Sequence, residues 1–171
     1  MNVLITGTTG MVGQGVLLEC LDHPKSEKVI SLGRSKLNIQ HPKLQHIIHE
    51  DFEDYSDIRD QLANIDACYL CMGISAAGLS EEKYHKITHD YTLALAKTLL
   101  ELNSEMTCSY VSGQGTDSSE KGGTMWARVK GKTENDLLKL GFKQAFMYRP
   151  GMIIPLKGIK SKTKLYQFIY D

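Results

Sequence analysis

Residues 2–15, NVLITGTTGMVGQG, decide the fold that we expect for this chain. The apolar run NVLIT is typical of a buried strand, and hydrophobic residues resume at helical spacing from Met11. Between them, Gly7, Gly10 and Gly13 stand three residues apart. In a strand–turn–helix unit the first glycine permits a tight turn, the second lets the backbone approach a phosphate, and the third lets the helix pack against the sheet. The spacing therefore predicts a pyrophosphate site, and the alternative is a turn that binds nothing.

The expected phosphate contacts are backbone amides in the first turn of this helix. Free N–H groups there point out of the helix, and the helix dipole favours an anion beside them. The amides in question belong to Thr9, Gly10, Met11 and Val12. A glycine pattern that follows a strand and opens a helix predicts a dinucleotide ligand.

The end of the second apolar run, KVISLGRSK, bears on which dinucleotide is bound. An acidic residue at this place would hold the ribose 2′-hydroxyl of NAD. The sequence instead has Arg34, followed by Ser35 and Lys36. Two cations and a hydroxyl suit a 2′-phosphate, so we expect NADP rather than NAD. The alternative is that Arg34 and Lys36 are ordinary solvated charges.

The rest of the chain alternates strand-length apolar runs with longer stretches of helical period. This alternation is typical of βαβ units and of an α/β fold with a parallel sheet covered on both faces. We expect a Rossmann doubly wound sheet in the order 3-2-1-4-5-6 with helices on both faces. Residues 1–155 would form the NAD(P)-binding domain, and residues 156–171 a basic tail that begins another helix. Strands are predicted at 2–6, 28–33, 44–51, 66–73, 106–113 and 144–151, and helices at 11–21, 54–65, 81–102 and 124–140.

Two further groups of residues come at the predicted carboxyl ends of strands, where ligands of such sheets bind. Asp51 and Phe52 follow the third strand, at the expected place of the adenine ring. Cys71, Met72 and Gly73 end the fourth strand, and Gly73 would pass beneath the ribose. We expect all five to contact the cofactor.

Composition excludes several classes of partner. The 171 residues contain 20 basic and 20 acidic side chains, so no net field draws the protein to nucleic acid or to an anionic membrane. No apolar run reaches the roughly 20 residues of a membrane span, and the start lacks the features of a signal peptide. The four cysteines fall in apolar segments, as buried reduced thiols would. We therefore expect a cytoplasmic protein whose partners are the cofactor and a small-molecule substrate.

The sequence resembles the short-chain dehydrogenase/reductase superfamily. It is most similar to the extended and atypical branch, which includes epimerase/dehydratase-like, NmrA-like and Tat-interacting oxidoreductase-like proteins. The matching stretches are TGTTGMVG, DF at 51–52, CMG at 71–73, VSGQGTD, WARVKGKTE and YRPGMIIP. They extend over nearly the whole chain, from residue 6 to residue 155.

The resemblance implies an NADP-binding Rossmann fold and catalysis by a tyrosine, a lysine four residues later and a nearby serine. In that chemistry lysine lowers the tyrosine pKa and holds the nicotinamide ribose, while tyrosine transfers a proton at the carbonyl. Lys130 matches the lysine, and Ser112 is the nearest match to the serine. The tyrosine position is occupied by Trp126. Family members also contact the cofactor with the backbone at the end of RPG and just after it, which here is Pro150, Gly151, Met152 and Ile153.

Trp126 separates two hypotheses of function. An indole donates a hydrogen bond but does not exchange its proton near neutral pH, so it is no general acid or base. The first hypothesis is an oxidoreductase or epimerase-like enzyme in which Tyr84, Tyr91, Tyr110 or water replaces the missing acid. The second is a non-catalytic regulator that senses NADPH and acts through protein partners.

Two features of the helical segments remain. His85 and His89 share a helix face at a spacing compatible with a metal, but the sequence shows no third ligand, so no metal site is predicted. The resemblance also implies pairing of two chains through the helices at 81–102 and 124–140. A homodimer is therefore a second expectation.

Overall fold

The computed structural model describes residues 1–159, and these contain a six-stranded parallel sheet in the order β3-β2-β1-β4-β5-β6. All neighbouring strands run parallel, with Ile5 of β1 level with Ser31 of β2 and with Tyr69 of β4. The predicted doubly wound fold and its strand order are confirmed. The strands β1 to β6 are, in chain order, Asn2–Thr6, Lys28–Gly33, Leu44–Ile48, Ala67–Leu70, Thr107–Val111 and Gln144–Tyr148.

Four α-helices, one 3₁₀ helix and one π-helical turn connect these strands within the described part of the chain. Helix α1 is Met11–Asp22, α2 is Glu81–His85, α3 is Tyr91–Leu102 and α4 is Met125–Lys139. The predicted long helix at 81–102 is present, but its middle, Lys86–Asp90, winds as a π-helix between α2 and α3. The expected helix at 54–65 is instead a 3₁₀ helix at Ser56–Leu62, which buries Ile58 and Leu62.

The hydrophobic core lies on both faces of the sheet. On one face α1 packs through Leu17 and Leu21 against Val3, Ile5 and Val29. The larger cluster, on the other face, joins the sheet to the 3₁₀ helix, α3 and α4. Opposed faces buried in this way hold the carboxyl ends of β1, β2 and β4 in fixed positions along one edge.

Helices cover both faces of the sheet, as expected, but one side of the edge strand β6 is open. Its residues alternate between exposed and half-buried, and Phe146 and Tyr148 expose 45% and 53% of their surface. In the described residues no helix covers this side of the strand. The tail contributes residues 156–159, which form a turn, and the helix predicted further on lies outside the described residues.

The four cysteines are free thiols, as expected, but only two of them are fully buried. Cys68 and Cys108 lie side by side on β4 and β5 within the larger core. Cys20 and Cys71 are half-buried, and Cys71 comes just after β4 rather than within it. No helix in the described residues is both long enough and apolar enough to span a membrane.

Candidate functional site

The glycine turn after β1 has the geometry that its sequence predicts. Gly7 adopts a φ of +68°, a left-handed conformation that favours glycine. A β-carbon at position 13 would overlap the Gly7 carbonyl group. Helix α1 therefore lies closer to the turn than a side chain at position 13 would allow. The N–H of Gly10 donates to the Gly7 carbonyl at 2.9 Å and closes the turn. The start of α1 is thereby held at the carboxyl ends of β1 and β4.

A cleft of about 290 Å³ opens above this turn. It lies where β1, β2 and β4 end, beside the first turn of α1. The order of the sheet reverses direction between β1 and β4, and ligands of open α/β sheets bind at such a switch point. The cleft is lined by Gly7, Thr8, Thr9, Gly10, Leu32, Gly33, Arg34, Ser35, Phe52, Cys71, Met72 and Gly73.

Eight of the residues predicted to bind the cofactor meet in this lining, although they come from four separate stretches of sequence. They are Gly7, Thr9, Gly10, Arg34, Phe52, Cys71, Met72 and Gly73. Gly13 lies beneath the turn, where it is buried. Asp51 is exposed and does not line the cleft, because its carboxylate accepts the N–H of Glu53 at 2.9 Å and so caps a turn.

Three of the other predicted contacts lie along a neighbouring groove. Met11, Val12 and Ile153 line a second cleft of about 190 Å³, between α1 and the segment after β6. Pro150 accepts the N–H of Gln114 at 2.8 Å through its carbonyl, and this bond joins the loop after β5 to the end of β6. Met152 exposes 75% of its surface. None of these residues lines the first cleft.

Sequence reasoning missed the support beneath the cleft. Thr8 follows Gly7 and is buried, and its hydroxyl shares a hydrogen bond of 2.7 Å with Ser31 of β2. The hydroxyl of Thr6 accepts the N–H of Met72 at 3.2 Å and so links β1 to the end of β4. Both pairs join residues distant in sequence. The glycine pattern therefore identifies the turn but not the polar contacts that fix it to its neighbours.

Phe52 forms the aromatic part of the lining. Only 7% of its surface is exposed, and it stacks on Tyr91 with ring centroids 5.8 Å apart. A phenyl ring held between the protein core and a cleft offers a flat apolar surface to a ligand ring. This position suits the expected place of the adenine.

The two residues predicted to be catalytic lie together at the end of β5. The Lys130 ammonium donates to the carbonyl of Ser112 at 2.7 Å, and burial lowers the pKa of Lys130 despite the nearby Glu134 carboxylate. The Ser112 hydroxyl is within hydrogen-bond reach of the Tyr148 carbonyl, at 3.1 Å, and of the buried Glu134 carboxylate. Arg149 pairs with the same carboxylate. In this structure the Ser112 hydroxyl thus holds β5, β6 and α4 together.

No tyrosine lines the first cleft within the described residues. Tyr84 and Tyr110 are buried in the core, and burial raises the pKa of each phenol. Tyr91 lies behind Phe52. Trp126 is half-buried, and its indole lies close to Gly115 in the loop after β5. Burial also raises the pKa of the Cys71 thiol to about 12, so this residue of the lining is no ready nucleophile.

The fold and the cleft together define a dinucleotide-binding protein of the doubly wound α/β class. A family model described as the NAD dependent epimerase/dehydratase family matches residues 3–121. The chain belongs to this family, within its atypical branch of oxidoreductase-like proteins.

Two curated relatives illustrate that branch. Protein FMP52, mitochondrial, from Saccharomyces cerevisiae is 31% identical over 96% of this chain and 69% of its own length. Protein HTATIP2 from Rattus norvegicus is 26% identical over 90% of this chain and 63% of its own length. The chain therefore spans about two thirds of these relatives.

Solved structures share the fold at lower identity. A UDP-glucose 4-epimerase superimposes with a TM-score of 0.74 at 17% identity, over 95% of this chain and 56% of the epimerase. The UDP-glucuronic acid 4-epimerase from Bacillus cereus in complex with NAD gives a TM-score of 0.66 at 18% identity, over 90% of this chain and 58% of that one. At such identity the likeness extends to the fold alone.

Proposed function

We propose that the protein binds NADP(H) in the first cleft and acts as an oxidoreductase on a small carbonyl or hydroxyl compound. One observation carries the choice of NADP. Among the described residues the cleft lining holds a single cationic side chain, Arg34, and no carboxylate. An NAD site of this fold places an acid on the ribose 2′-hydroxyl, whereas a 2′-phosphate requires a cation there.

The surroundings of Arg34 support this choice. Its side chain is exposed at the end of β2, and within residues 1–159 it makes no hydrogen bond or ion pair. The guanidinium is therefore available for bidentate contact with a phosphate. Ser35 follows it in the lining and offers a hydroxyl. Lys36 is exposed next to them.

Replacing Arg34 by alanine should abolish the preference for NADPH over NADH. A charge-assisted hydrogen bond contributes about 1.5 to 3 kcal/mol, so NADPH affinity should fall roughly 10- to 100-fold. NADH affinity should change little, because NADH has no 2′-phosphate. Trp126, the single tryptophan, provides the fluorescence signal for both titrations.

Arg59→Ala is the matched control, since this arginine lies on the 3₁₀ helix, pairs with Glu101 and does not line the cleft. It should leave both affinities unchanged. Equal binding of NADPH and NADH by the unaltered protein, or binding of neither, would refute the proposal for Arg34.

The oxidoreductase part of the proposal rests on Lys130. Bound NADPH would supply a hydride to a carbonyl carbon. Lys130 lies on α4 and is half-buried, and its ammonium group reaches the end of β5. This group could donate to a ribose hydroxyl. The proton needed at the substrate oxygen would come from water, because Trp126 occupies the position of the usual acid. Lys130→Met should therefore abolish substrate-dependent oxidation of NADPH.

A second candidate function is a regulator that senses NADPH without turnover. Two features favour this function. The Ser112 hydroxyl is already hydrogen-bonded to Glu134 and to the Tyr148 carbonyl, and the indole of Trp126 does not exchange its proton near neutral pH. A cofactor-dependent change in partner binding without NADPH oxidation would support this function over the first.

Two further expectations stay predictions. A cytoplasmic location fits the free thiols, whereas the fungal relatives carry the word mitochondrial in their names, so cell fractionation decides between these places. Pairing of two chains through α2, α3 and α4 is checked by sedimentation.

A further inference from the structure

A cluster of titratable side chains lies outside the cleft, on the outer side of the helices that follow β4. We call it the His–Asp cluster, and it consists of His85, His89, Asp90 and Asp136. The first three offer ligand atoms that all lie within 4.8 Å of one another. Asp136 reaches them from α4.

The π-helical turn creates this arrangement. In an α-helix, with about 100° per residue, Asp90 would lie roughly 140° around the axis from His85. In the π-helical segment hydrogen bonds span five residues, and the N–H of Tyr91 accordingly donates to the carbonyl of Lys86. The wider turn brings His85, His89 and Asp90 onto one face. Such turns inside α-helices are frequent at functional sites.

The distances within the cluster approach those of a metal site. Nδ1 of His85 lies 3.2 Å from Oδ1 of Asp90, and Nδ1 of His89 lies 2.7 Å from the same oxygen. Ligand atoms around a tetrahedral zinc ion, with bonds near 2.1 Å, are about 3.4 Å apart. The side chains of His85 and Asp90 are 33% and 47% exposed, so small rotations are open to them.

Asp136 provides the second independent observation. Nε2 of His89 lies 3.0 Å from Oδ2 of Asp136, on the side of the ring away from Asp90. A histidine that ligates a metal usually donates its other N–H to a carboxylate in this way, which fixes the ring and its tautomer.

We propose that His85, His89 and Asp90 bind a divalent transition-metal ion, zinc in the first place, with Asp136 orienting His89. Two imidazoles and one carboxylate suit zinc and similar divalent transition metals. Three protein ligands leave the fourth coordination position of a tetrahedral ion open. The neighbouring lysine side chains pair with carboxylates other than that of Asp90. Lys132 and Lys139 bond to Asp136 rather than to the ligand atoms, and Lys86 pairs with Glu53.

Calorimetric titration of the whole chain with ZnCl₂ tests the proposal. The protein should bind one zinc ion, and His85→Ala or His89→Ala should remove this binding. Asp136→Asn retains the ligands but weakens the carboxylate contact, so it should lower zinc affinity by about 10- to 100-fold. His23→Ala is the control, because His23 is exposed and its imidazole accepts only the N–H of Lys25 within its own turn.

Cobalt(II) absorption keeps the test independent of protein stability and of the cysteines. A tetrahedral cobalt spectrum without a thiolate charge-transfer band is expected for the protein, and it should be absent from His85→Gln. Circular dichroism verifies that each variant is folded. Absence of zinc binding, binding that survives both histidine variants, or a thiolate band would overturn the proposal and leave the cluster as a set of hydrogen-bonded side chains.

Discussion

Replacing Trp126 by tyrosine is expected to raise the rate of substrate-dependent NADPH oxidation by about 10²- to 10⁴-fold, the usual contribution of a positioned general acid. The change restores a phenol four residues before Lys130, on the same face of α4. The neighbouring ammonium would lower the tyrosine pKa and make proton transfer efficient. Steady-state assays with a panel of small carbonyl compounds measure the effect, and calorimetry measures cofactor binding, because the fluorescent indole is lost.

Trp126→Phe is the matched control for this variant. It opens the same space beside Gly115 but supplies no proton, so its rate should stay near that of the unaltered protein. Equal rates for the tyrosine and phenylalanine variants would show that position 126 does not face the reacting oxygen. Activity that appears only with tyrosine would favour the regulator, and activity in none of the three would refute the oxidoreductase.

Replacing Gly13 by alanine is expected to destabilise the fold and to weaken cofactor binding. A β-carbon there would overlap the backbone carbonyl of Gly7, which has no side-chain freedom with which to move aside. Overpacking of this kind costs about 1 to 3 kcal/mol, and contact with backbone should place Gly13→Ala at about 3 kcal/mol. A displaced turn also misdirects the amides of α1, so NADPH affinity should fall at least about tenfold.

Gly15→Ala in the same helix is the control for this prediction. A β-carbon at Gly15 would lie 3.7 Å from the Cδ1 atom of Ile159, an ordinary contact. Because alanine has a higher helix propensity than glycine, Gly15→Ala should raise the free energy of unfolding by roughly 0.5 to 1 kcal/mol. Urea unfolding compares the two variants. A Gly13→Ala protein as stable as the Gly15→Ala protein would contradict the close approach of α1 to the turn.

The fold and the main cleft could be predicted from the sequence because their signals are local. Gly7 and Gly13 stand at fixed offsets from an apolar strand, and a left-handed φ or a missing β-carbon leaves few alternatives to glycine. Parallel strands bring their carboxyl ends to one edge, which places Arg34, Phe52 and Gly73 together without knowledge of side-chain contacts.

The contacts that the sequence did not predict depend on partners far along the chain. The Ser112 hydroxyl meets Glu134, and Glu134 pairs with Arg149, only when α4 packs beside β5 and β6. Asp90 joins the two histidines only because the helix winds as a π turn, and α-helical periodicity places it elsewhere. The exposed face of β6 was missed because an apolar strand sequence does not reveal which neighbour covers it.

A crystal structure with bound NADP⁺ tests the central claim most directly. We expect the pyrophosphate at the amides of Thr9 to Val12, the adenine beside Phe52 and the 2′-phosphate in contact with the Arg34 guanidinium. A dinucleotide whose phosphates lie away from the glycine turn, or whose ribose 2′ position faces away from Arg34, would contradict the account.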